Sequence, residues 1–469
     1  MRRTFLQNSS PVIVADMTDL PASTHDRFNS YTSVAEGHVA SRAGHCNGGE
    51  SRAQSQRKQG ILCNPLARFA GPACAALLLS GCGLSGTDND PQDSGSEQAQ
   101  AAPQHPDLAR FEEEDIADPV QRPEMQVQVV LDQLGFGPGI IDGTMGLSTE
   151  NALKGFQEAS GLQITGKLDE STKAALARWN NVPATKVVRI PESWGQIQFA
   201  QIPDDMEEQG KLEHLSYESL AEKLAERFHT TPEALAALNP GGRPAGDGSP
   251  PQAGASTPAN AAASGVPAYP PRTRVTPTSQ PSGQAQPPQP VFRPGQLVRV
   301  PNVGLGDLRP ATGADEEWQR TLVSLGVSGE QPKVARVVVD KSEGTLRAYD
   351  GSDKLVALFT VTTGSEHDPL PLGEWKILGV SRNTPFNYNP DLFWDADPDH
   401  QKTLLPPGPN GPVGVVWIDL SKEHYGIHGT PEPQTIGRTQ SHGCVRLTNW
   451  DAARLAGMVS TQTQVIFQA

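Results

Sequence analysis

From Met125 onward the apolar positions follow two successive rhythms. Val127, Val130, Leu131 and Leu134 recur at i, i+3, i+4 and i+7, one face of a short helix, which "GFGPG" stops. In "IIDGTMGLSTENALKGFQEASGL", Ser148 or Thr149 is placed to cap a second helix whose buried side includes Ala152, Leu153 and Phe156. "TGKLDESTKAALARW" offers Asp169 as a further cap, with Leu176 and Trp179 on the inner face. "LSYESLAEKLAERFHTTPEALAALNPG" aligns Leu220, Leu224 and Phe228 on one helix, and Thr231-Pro232 marks a new start, a cap followed by proline at the first helical position. "FRPGQLVRVP", residues 292–301, reads as a strand preceded by a turn. From Val334 the period becomes that of strands. "VARVVVD" and "GTLRAYD" flank a turn at Lys341–Gly344, and "LVALFTVTTG", "GEWKILGV" and "GVVWIDL" are further β-rich runs. Helical signal returns only in "NWDAARLAGMV", before a last strand in "TQVIFQA". Residues 334–469 therefore read as one largely β domain.

Composition adds the joints. The 469 residues are 36% hydrophobic and 19% charged, below the usual globular averages, with 46 Gly and 42 Pro. That mixture predicts two to four compact modules joined by open linkers. Residues 82–122 are polar and Pro/Gln-rich, a disordered tether. Residues 241–290 hold twelve Pro, seven Gly and no Leu, Ile, Phe or Trp, so they cannot bury a core and are expected to be disordered. The net charge is -15 with no long basic run, which argues against a nucleic-acid partner.

The five cysteines are not a disulfide framework, because four lie within the first 82 residues and only Cys444 follows them. Arg57, Lys58 and Arg68 precede the apolar run "FAGPACAALLLSG", too short to span a bilayer and suited to a secretory signal. The run ends in Leu79-Ser80-Gly81-Cys82, which resembles a bacterial lipobox. The resemblance implies removal of residues 1–81, lipidation of Cys82 and a membrane anchor. The exported chain would lose eight Lys/Arg and five Asp/Glu, leaving a net charge of -18. Sixty-odd polar residues stand before the run, whereas signals start close to their basic region. Initiation is therefore expected downstream, with Leu62 as one candidate start. Gly83, where an aspartate often signals inner-membrane retention, favours the outer membrane weakly. The expected location is periplasmic and lipid-anchored.

Two segments resemble wall-binding modules. Asp142, Gly143, Gly146 and Thr149 form a D-G-x-x-G-x-x-T core, followed by Phe156-Gln157 and a closing T-G-x-L-D-x-x-T from Thr165 to Thr172. This is similar to the peptidoglycan-binding type 1 domain, a three-helix fold at 123–180, which implies affinity for peptidoglycan. Asp142 reads as a turn and capping residue. The pieces at 211–303, joined across the 241–290 insertion, look like a LysM fold of two helices on two strands. The usual G-D-x-L entry is absent, with Ser216-Tyr217-Glu218-Ser219-Leu220 in its place.

The remaining chemistry gathers near the C-terminus. A thiol nucleophile must be deprotonated, and a neighbouring imidazole can do this. His442 stands two residues before Cys444 and His428 sixteen before it. In an extended chain His442 and Cys444 share a face, but spacing does not decide which imidazole reaches the sulfur. Gly443 and Gly429 permit unusual backbone angles beside the reactive groups, where backbone N–H groups can stabilise a developing oxyanion. Arg446 is a fixed cation suited to a carboxylate. His424, four before His428, is expected on the same strand face as a surface or cleft residue. A zinc reading of His428, His442 and Cys444 has no fourth ligand at metal spacing.

"IHGT" (Ile427 to Thr430), thirteen residues between the histidines, then "SHGCVRLTN" (Ser441 to Asn449) resembles the signature of the L,D-transpeptidase catalytic domain, the YkuD family. The opening "VVVDKSEGTLRAYDGSDKLVALFTVTTG" is also similar. The resemblance implies Cys444 as nucleophile, His428 as base and the Gly429 carbonyl as its orienter. It also implies that His442, Gly443 and Cys444 shape the oxyanion site, with Ser441 beside them, and that Arg446 binds substrate. No cofactor or metal is implied. Two departures touch the cleft: Pro369-Leu370-Pro371-Leu372-Gly373 replaces the family's T-P-x-G, and the stretch from Asn383 to Gly414 is long. The expected protein is a multidomain α and β chain ending in a mainly-β, β-sandwich-like catalytic domain at 334–469. Its expected reaction is acyl transfer on peptidoglycan tetrapeptide stems, forming 3–3 cross-links or attaching a protein, such as an outer-membrane lipoprotein, to the wall. An L,D-carboxypeptidase, a hydrolase of the same bonds and a non-catalytic scaffold are the rivals. Covalent addition of a carbapenem to Cys444 would discriminate the last.

Overall fold

The computed structural model describes residues 105–248, 292–306, 308–394, 396–397 and 399–469. The signal region, the Cys82 site, residues 82–104 of the tether and residues 249–290 of the insertion lie outside them.

The chain enters through β1 (Glu112–Glu114), followed by α1 (Pro123–Gln133), α2 (Leu147–Ala159) and α3 (Glu170–Leu176). Gly146, not Ser148 or Thr149, is the N-cap of α2, and it makes no side-chain cap. Thr149 is buried instead and accepts from Gln128 Nε2 at 3.2 Å. Asp169 does cap α3, accepting from Thr172 N. The motif residues of this module hold its turns. Gln157 Oε1 accepts from the backbone N–H of Thr165 and Gly166, both at 2.8 Å, and Asp142 Oδ1 accepts from Thr144 N at 2.7 Å. Helix α1 buries more than the face its period predicted. Val130 and Leu131 meet α2, while Met125 and Val129 pack with Leu238 and Val303 from later in the chain.

Next come β2 (Thr185–Arg189), α4 (Met206–Gln209), α5 (Leu220–Arg227), α6 (Pro232–Leu238) and β3 (Leu297–Pro301). The partner of β3 lies outside the expected 211–303 segment: β3 pairs antiparallel with β2, and β1 adds a third strand. Residues 105–122 are thus not a tether. Phe111 packs against Trp194 and Phe228, and Trp194 Nε1 donates to Pro106 O at 3.1 Å. Residues 241–248 are likewise folded, because buried Arg299 donates to Ala245 O at 2.7 Å, which fixes that turn.

The catalytic region holds α7 (Glu316–Ser324), β4 (Arg336–Asp340), β5 (Thr345–Tyr349), β6 (Leu355–Thr360), β7 (Gly373–Arg382), β8 (Phe386–Tyr388), β9 (Thr403–Leu405), β10 (Val416–Leu420), β11 (Gly426–His428), β12 (Val445–Arg446), α8 (Asn449–Met458) and β13 (Gln464–Gln468). Eight strands hydrogen-bond in the order β12-β11-β10-β7-β13-β4-β5-β6. The sheet is continuous because β7 serves two neighbours: Gly373 to Lys376 pair with β13, and Ile377 to Arg382 with β10. Its two halves enclose one core, in which Val337, Leu346 and Phe359 join Ile418, Ile427, Val445 and Trp450 of α8.

Open linkers between the modules are not what the structure shows. Gly137 N donates to Leu358 O at 2.8 Å, so the turn after α1 covers the edge strand β6. Gly155 of α2 has no room for a side chain against Leu358. At a second junction, buried Asp132 of α1 accepts from both Nη atoms of Arg454 in α8, at 3.0 and 2.7 Å. Asp132 also lies 3.1 Å from Nδ1 of His229, which follows α5. That imidazole stacks on Trp450 at 5.0 Å, with Nε2 2.9 Å from Leu325 O.

A third junction joins α5 to the catalytic region. Glu226 is half-buried there, and its Oε1 accepts from Asn449 Nδ2 at 2.7 Å. Burial pushes the Glu226 carboxyl up to about 7; Asn449 and Tyr217 pull it down, while Glu222 raises it and Lys223 lowers it. A carboxyl raised on folding contributes stability that is complete below its unfolded pKa and is lost as pH rises through its folded one. Glu226→Gln, which mimics the protonated form, is therefore expected to gain on the wild type between about pH 4.5 and 7, reaching about 3 kcal/mol and staying level above. Urea melts of both proteins across that range measure the difference, and a pH-independent difference would refute it.

Candidate active site

Alternation along three neighbouring strands builds the site. Ile427 and Val445 point into the core at 1% and 0% exposure, which turns His428 and Arg446 to the other face. Trp417 pairs with His428 across β10 and β11, and His428 with Arg446 across the parallel β11 and β12. Trp417, His428 and Arg446 thus stand in one row. The indole of Trp417 stacks on the imidazole of His428 at 5.5 Å, and a side chain on Gly426 would meet that indole at 2.6 Å. His428 Nδ1 lies 2.7 Å from Gly429 O. With the proton on Nδ1 donated to that carbonyl, Nε2 is left as the basic nitrogen. Burial, reinforced by the Arg446 cation, brings His428 down to about 3, against the pull of the Gly429 carbonyl.

Cys444 enters β12 from the motif loop, on the same face as Arg446. Its Sγ is 3.7 Å from His424 O, and the Gly426 N–H faces the sulfur. Burial pushes the thiol above its ordinary value, with Gly426 and Arg446 pulling the other way. The loop is fastened at both ends: Ser441 N donates to Thr363 O at 3.0 Å, and Arg446 N to Thr362 O at 2.9 Å. Ser441 Oγ donates to Cys444 O at 2.5 Å. Between them Gly443 has φ +98°, a left-handed bend, and Tyr425 packs where a side chain would stand.

That bend decides a condition the sequence left open: the chain from His442 to Cys444 is not extended, so a shared strand face does not apply to the two side chains. The His442 ring is edge-on to Phe393 at 4.9 Å, under the segment that joins β8 to β9. His424 is an exposed surface residue, as expected, but it lies in the turn before β11 with φ +66° rather than on the strand face, and its contribution to the site is its carbonyl rather than its ring. Among the described residues, no group of three His, Cys, Asp or Glu is arranged to hold a metal ion.

From the long 383–414 stretch, Phe393 and Trp394 stand over the motif loop at His442. Phe393 stacks on Tyr388 at 5.6 Å, and Trp394, 59% exposed, stacks on His367 at 4.3 Å. Tyr388 and Leu405 of the same stretch pack on Leu215. The period of two in "VVWIDL" places Trp417 on the open face, so this residue was within reach of sequence reasoning. Tyr425, Phe393 and Trp394 carry no such signal.

A neutral buried imidazole and a raised thiol mean that both groups rest uncharged. Alkylation of Cys444 by iodoacetamide is therefore expected to keep rising with pH through about pH 9. Trypsin releases residues 439–446 as a peptide that reads Cys444 alone. A rate that levels off between about pH 5 and 8 would instead indicate a preformed thiolate–imidazolium pair.

A buried imidazole oriented by a carbonyl, on the same sheet face as a thiol carried by a glycine-bent loop, defines a cysteine acyltransferase class of site. Residues 334–467 match the YkuD model, "L,D-transpeptidase catalytic domain". The chain belongs to this L,D-transpeptidase family. Residues 125–176 match a second model, "Putative peptidoglycan binding domain". A Bacillus licheniformis protein named "Putative L,D-transpeptidase YkuD" is 32% identical over 146 residues, which are 31% of this chain and 73% of that one. Its Bacillus subtilis namesake is 51% identical over 114 residues, 24% of this chain and 54% of that one, so the match spans about half of that relative. A solved L,D-transpeptidase from Mycobacterium smegmatis aligns at 22% identity with a TM-score of 0.24, covering 29% of this chain and 58% of that chain.

Proposed function

We propose that the protein is a cell-wall L,D-transpeptidase that uses Cys444 to transfer acyl groups between peptidoglycan stem peptides. The observation that carries this is the 2.7 Å contact of His428 Nδ1 with Gly429 O. It leaves Nε2 as the base, on the same sheet face as the thiol. In the first half-reaction the thiol proton passes to His428 Nε2 as sulfur bonds to the carbonyl carbon of the third stem residue. Backbone N–H groups at Gly443 and Cys444, with His442 and Ser441 shaping the loop, hold the oxyanion. Collapse breaks the C–N bond, and His428 returns the proton to the departing D-Ala amine. In the second half-reaction an acceptor amine attacks the thioester, loses its proton to His428 and releases the thiol. Arg446 binds a substrate carboxylate. The energy of the broken peptide bond is kept in the thioester, so no nucleotide is consumed.

Further proposals concern placement. Residues 123–180 dock the enzyme on peptidoglycan, and Cys82 is lipidated, anchoring the mature chain in the periplasm. The pairing of β2 with β3 around α5 and α6 supports a LysM-like reading with boundaries near 185–301. Lys223 and Arg227 of α5 are buried and Glu226 half-buried, so that helix serves packing rather than glycan.

The test is mass spectrometry of the protein incubated with a disaccharide tetrapeptide, with Cys444→Ala as control. A cross-linked dimer lacking one alanine, absent from the control, is expected. Tripeptide alone would make the enzyme an L,D-carboxypeptidase, and no change with folded protein would favour a scaffold.

A further inference from the structure

Asn449, the first residue of α8, occupies a slot beside two glycines that have no room for a side chain. A Cβ on Gly414 or on Gly429 would collide with its Oδ1. That oxygen accepts from Val415 N at 3.3 Å, while Nδ2 donates to Pro409 O at 3.0 Å and to Glu226 Oε1 at 2.7 Å. The slot borders the catalytic pair directly, since Gly429 O is the acceptor that orients His428, and Leu447 N donates to His428 O at 2.8 Å. Glu226 comes from α5, outside the region that matches the catalytic family model. It is seated on that region by neighbours: Asn410 Nδ2 donates to Glu222 Oε1 at 2.7 Å, and Leu215 N to Pro407 O at 2.9 Å. A primary amide with both ends engaged cannot rotate, so the Gly429 backbone packed against it is held in one place.

We propose that Glu226 and Asn449 form a positioning relay that fixes the Gly429 carbonyl, and through it the His428 ring, so that a helix of the preceding module completes the acyl-transfer site. Neither residue touches substrate; both act through His428. This rests on the reading of His428 as the base of Cys444. Removing the Glu226 acceptor leaves one of the two Asn449 amide N–H groups unpaired in a buried slot, with Pro409 O as the remaining acceptor, and the amide and the 409–415 loop can shift. A displacement of a base by a fraction of an ångström is enough to slow proton transfer.

The experiment uses the full chain with Glu226→Leu, Glu226→Gln and Asn449→Ala. Turnover of the disaccharide tetrapeptide and iodoacetamide alkylation of the 439–446 peptide at pH 7 are followed in parallel. Glu226→Leu and Asn449→Ala are expected to lower kcat by roughly 10- to 100-fold with KM within about twofold, and to slow alkylation in the same order. Glu226→Gln retains an acceptor oxygen and is expected to restore most of both rates. A residue that only stabilises the fold would move the melting temperature and leave these rates alone. Folded Glu226→Leu and Asn449→Ala proteins with wild-type kcat and alkylation would overturn the relay, as would a Gln variant as slow as Leu. Should Glu226→Leu not fold, Asn449→Ala decides, since alanine suits the first turn of a helix. If the wild type leaves the tetrapeptide unchanged while alkylation still falls in the two variants, the relay stands and the proposed function is what fails.

Discussion

Replacing Cys444 by alanine is expected to abolish dimer formation from the disaccharide tetrapeptide, with turnover down by at least about 10⁴-fold. His428→Ala is expected to come close to the same loss, because the two act as a unit and their effects do not add. The reason lies in the resting site. The thiol is raised by burial and the imidazole is neutral, so there is little thiolate without a base that accepts the proton during attack. Neither substitution should disturb folding much, since Cys444 is half-buried and the strands around it are held by Ile427 and Val445 in the core. Circular dichroism of both variants, alongside product analysis, checks this. A Cys444→Ala protein that still releases D-Ala would remove the nucleophile from that position.

Asp132→Ala is expected to be the most damaging substitution away from the site, lowering unfolding free energy by about 3–5 kcal/mol. Asp132 is 2% and His229 0% exposed in their side chains, and the variant leaves Arg454, only 11% exposed, without its bidentate partner. Burial alone would raise the Asp132 carboxyl, but Arg454 and His229 outweigh it and hold it well below the usual carboxylate range. A carboxyl depressed on folding contributes stability that is present above its unfolded value near 4 and lost as pH falls further. The gap between wild type and Asp132→Ala should therefore be full at pH 6 and narrow below about pH 4. Denaturant melts report the loss. The location of the pair makes a second claim testable, because signals from Trp179 in the wall-binding module and Trp375 in the catalytic region should shift together. Separate transitions, with only one displaced, would show that the junction does not couple the modules.

The site was legible where alternation and a dense motif coincide. Ile427 and Val445 are apolar and flank polar neighbours, so the face that carries His428 and Arg446 follows from period two. The reach of either imidazole did not follow, because it depends on the left-handed bend at Gly443, and glycine is compatible with extended and bent chain alike. The tether was misread from residue 105 for a related reason. Phe111 is one aromatic residue in a polar stretch, and its burial requires Trp194 and Phe228, which are far along the chain. Strand β2 was missed as the partner of β3 because five residues of alternating sequence lie more than a hundred positions from their mate. The contacts between modules left no periodic trace at all. Asp132, His229 and Arg454 each read as an ordinary polar residue on its own helix or turn, and only the folded chain brings them within hydrogen-bond distance.

The covering of edge strand β6 by the turn at Gly137 has a consequence for how such an enzyme meets a polymer mesh. A catalytic unit on a flexible leash samples every peptide within a sphere, and leash length sets its effective concentration. Here the turn after α1 of the peptidoglycan-binding module is hydrogen-bonded to the edge strand β6 of the catalytic sheet, so a docked glycan chain and the thiol would keep one separation and one angle. If the proposed docking on peptidoglycan holds, such a protein would work as a jig, treating the mesh as a lattice with a repeat and favouring peptides that stand at the matching spacing.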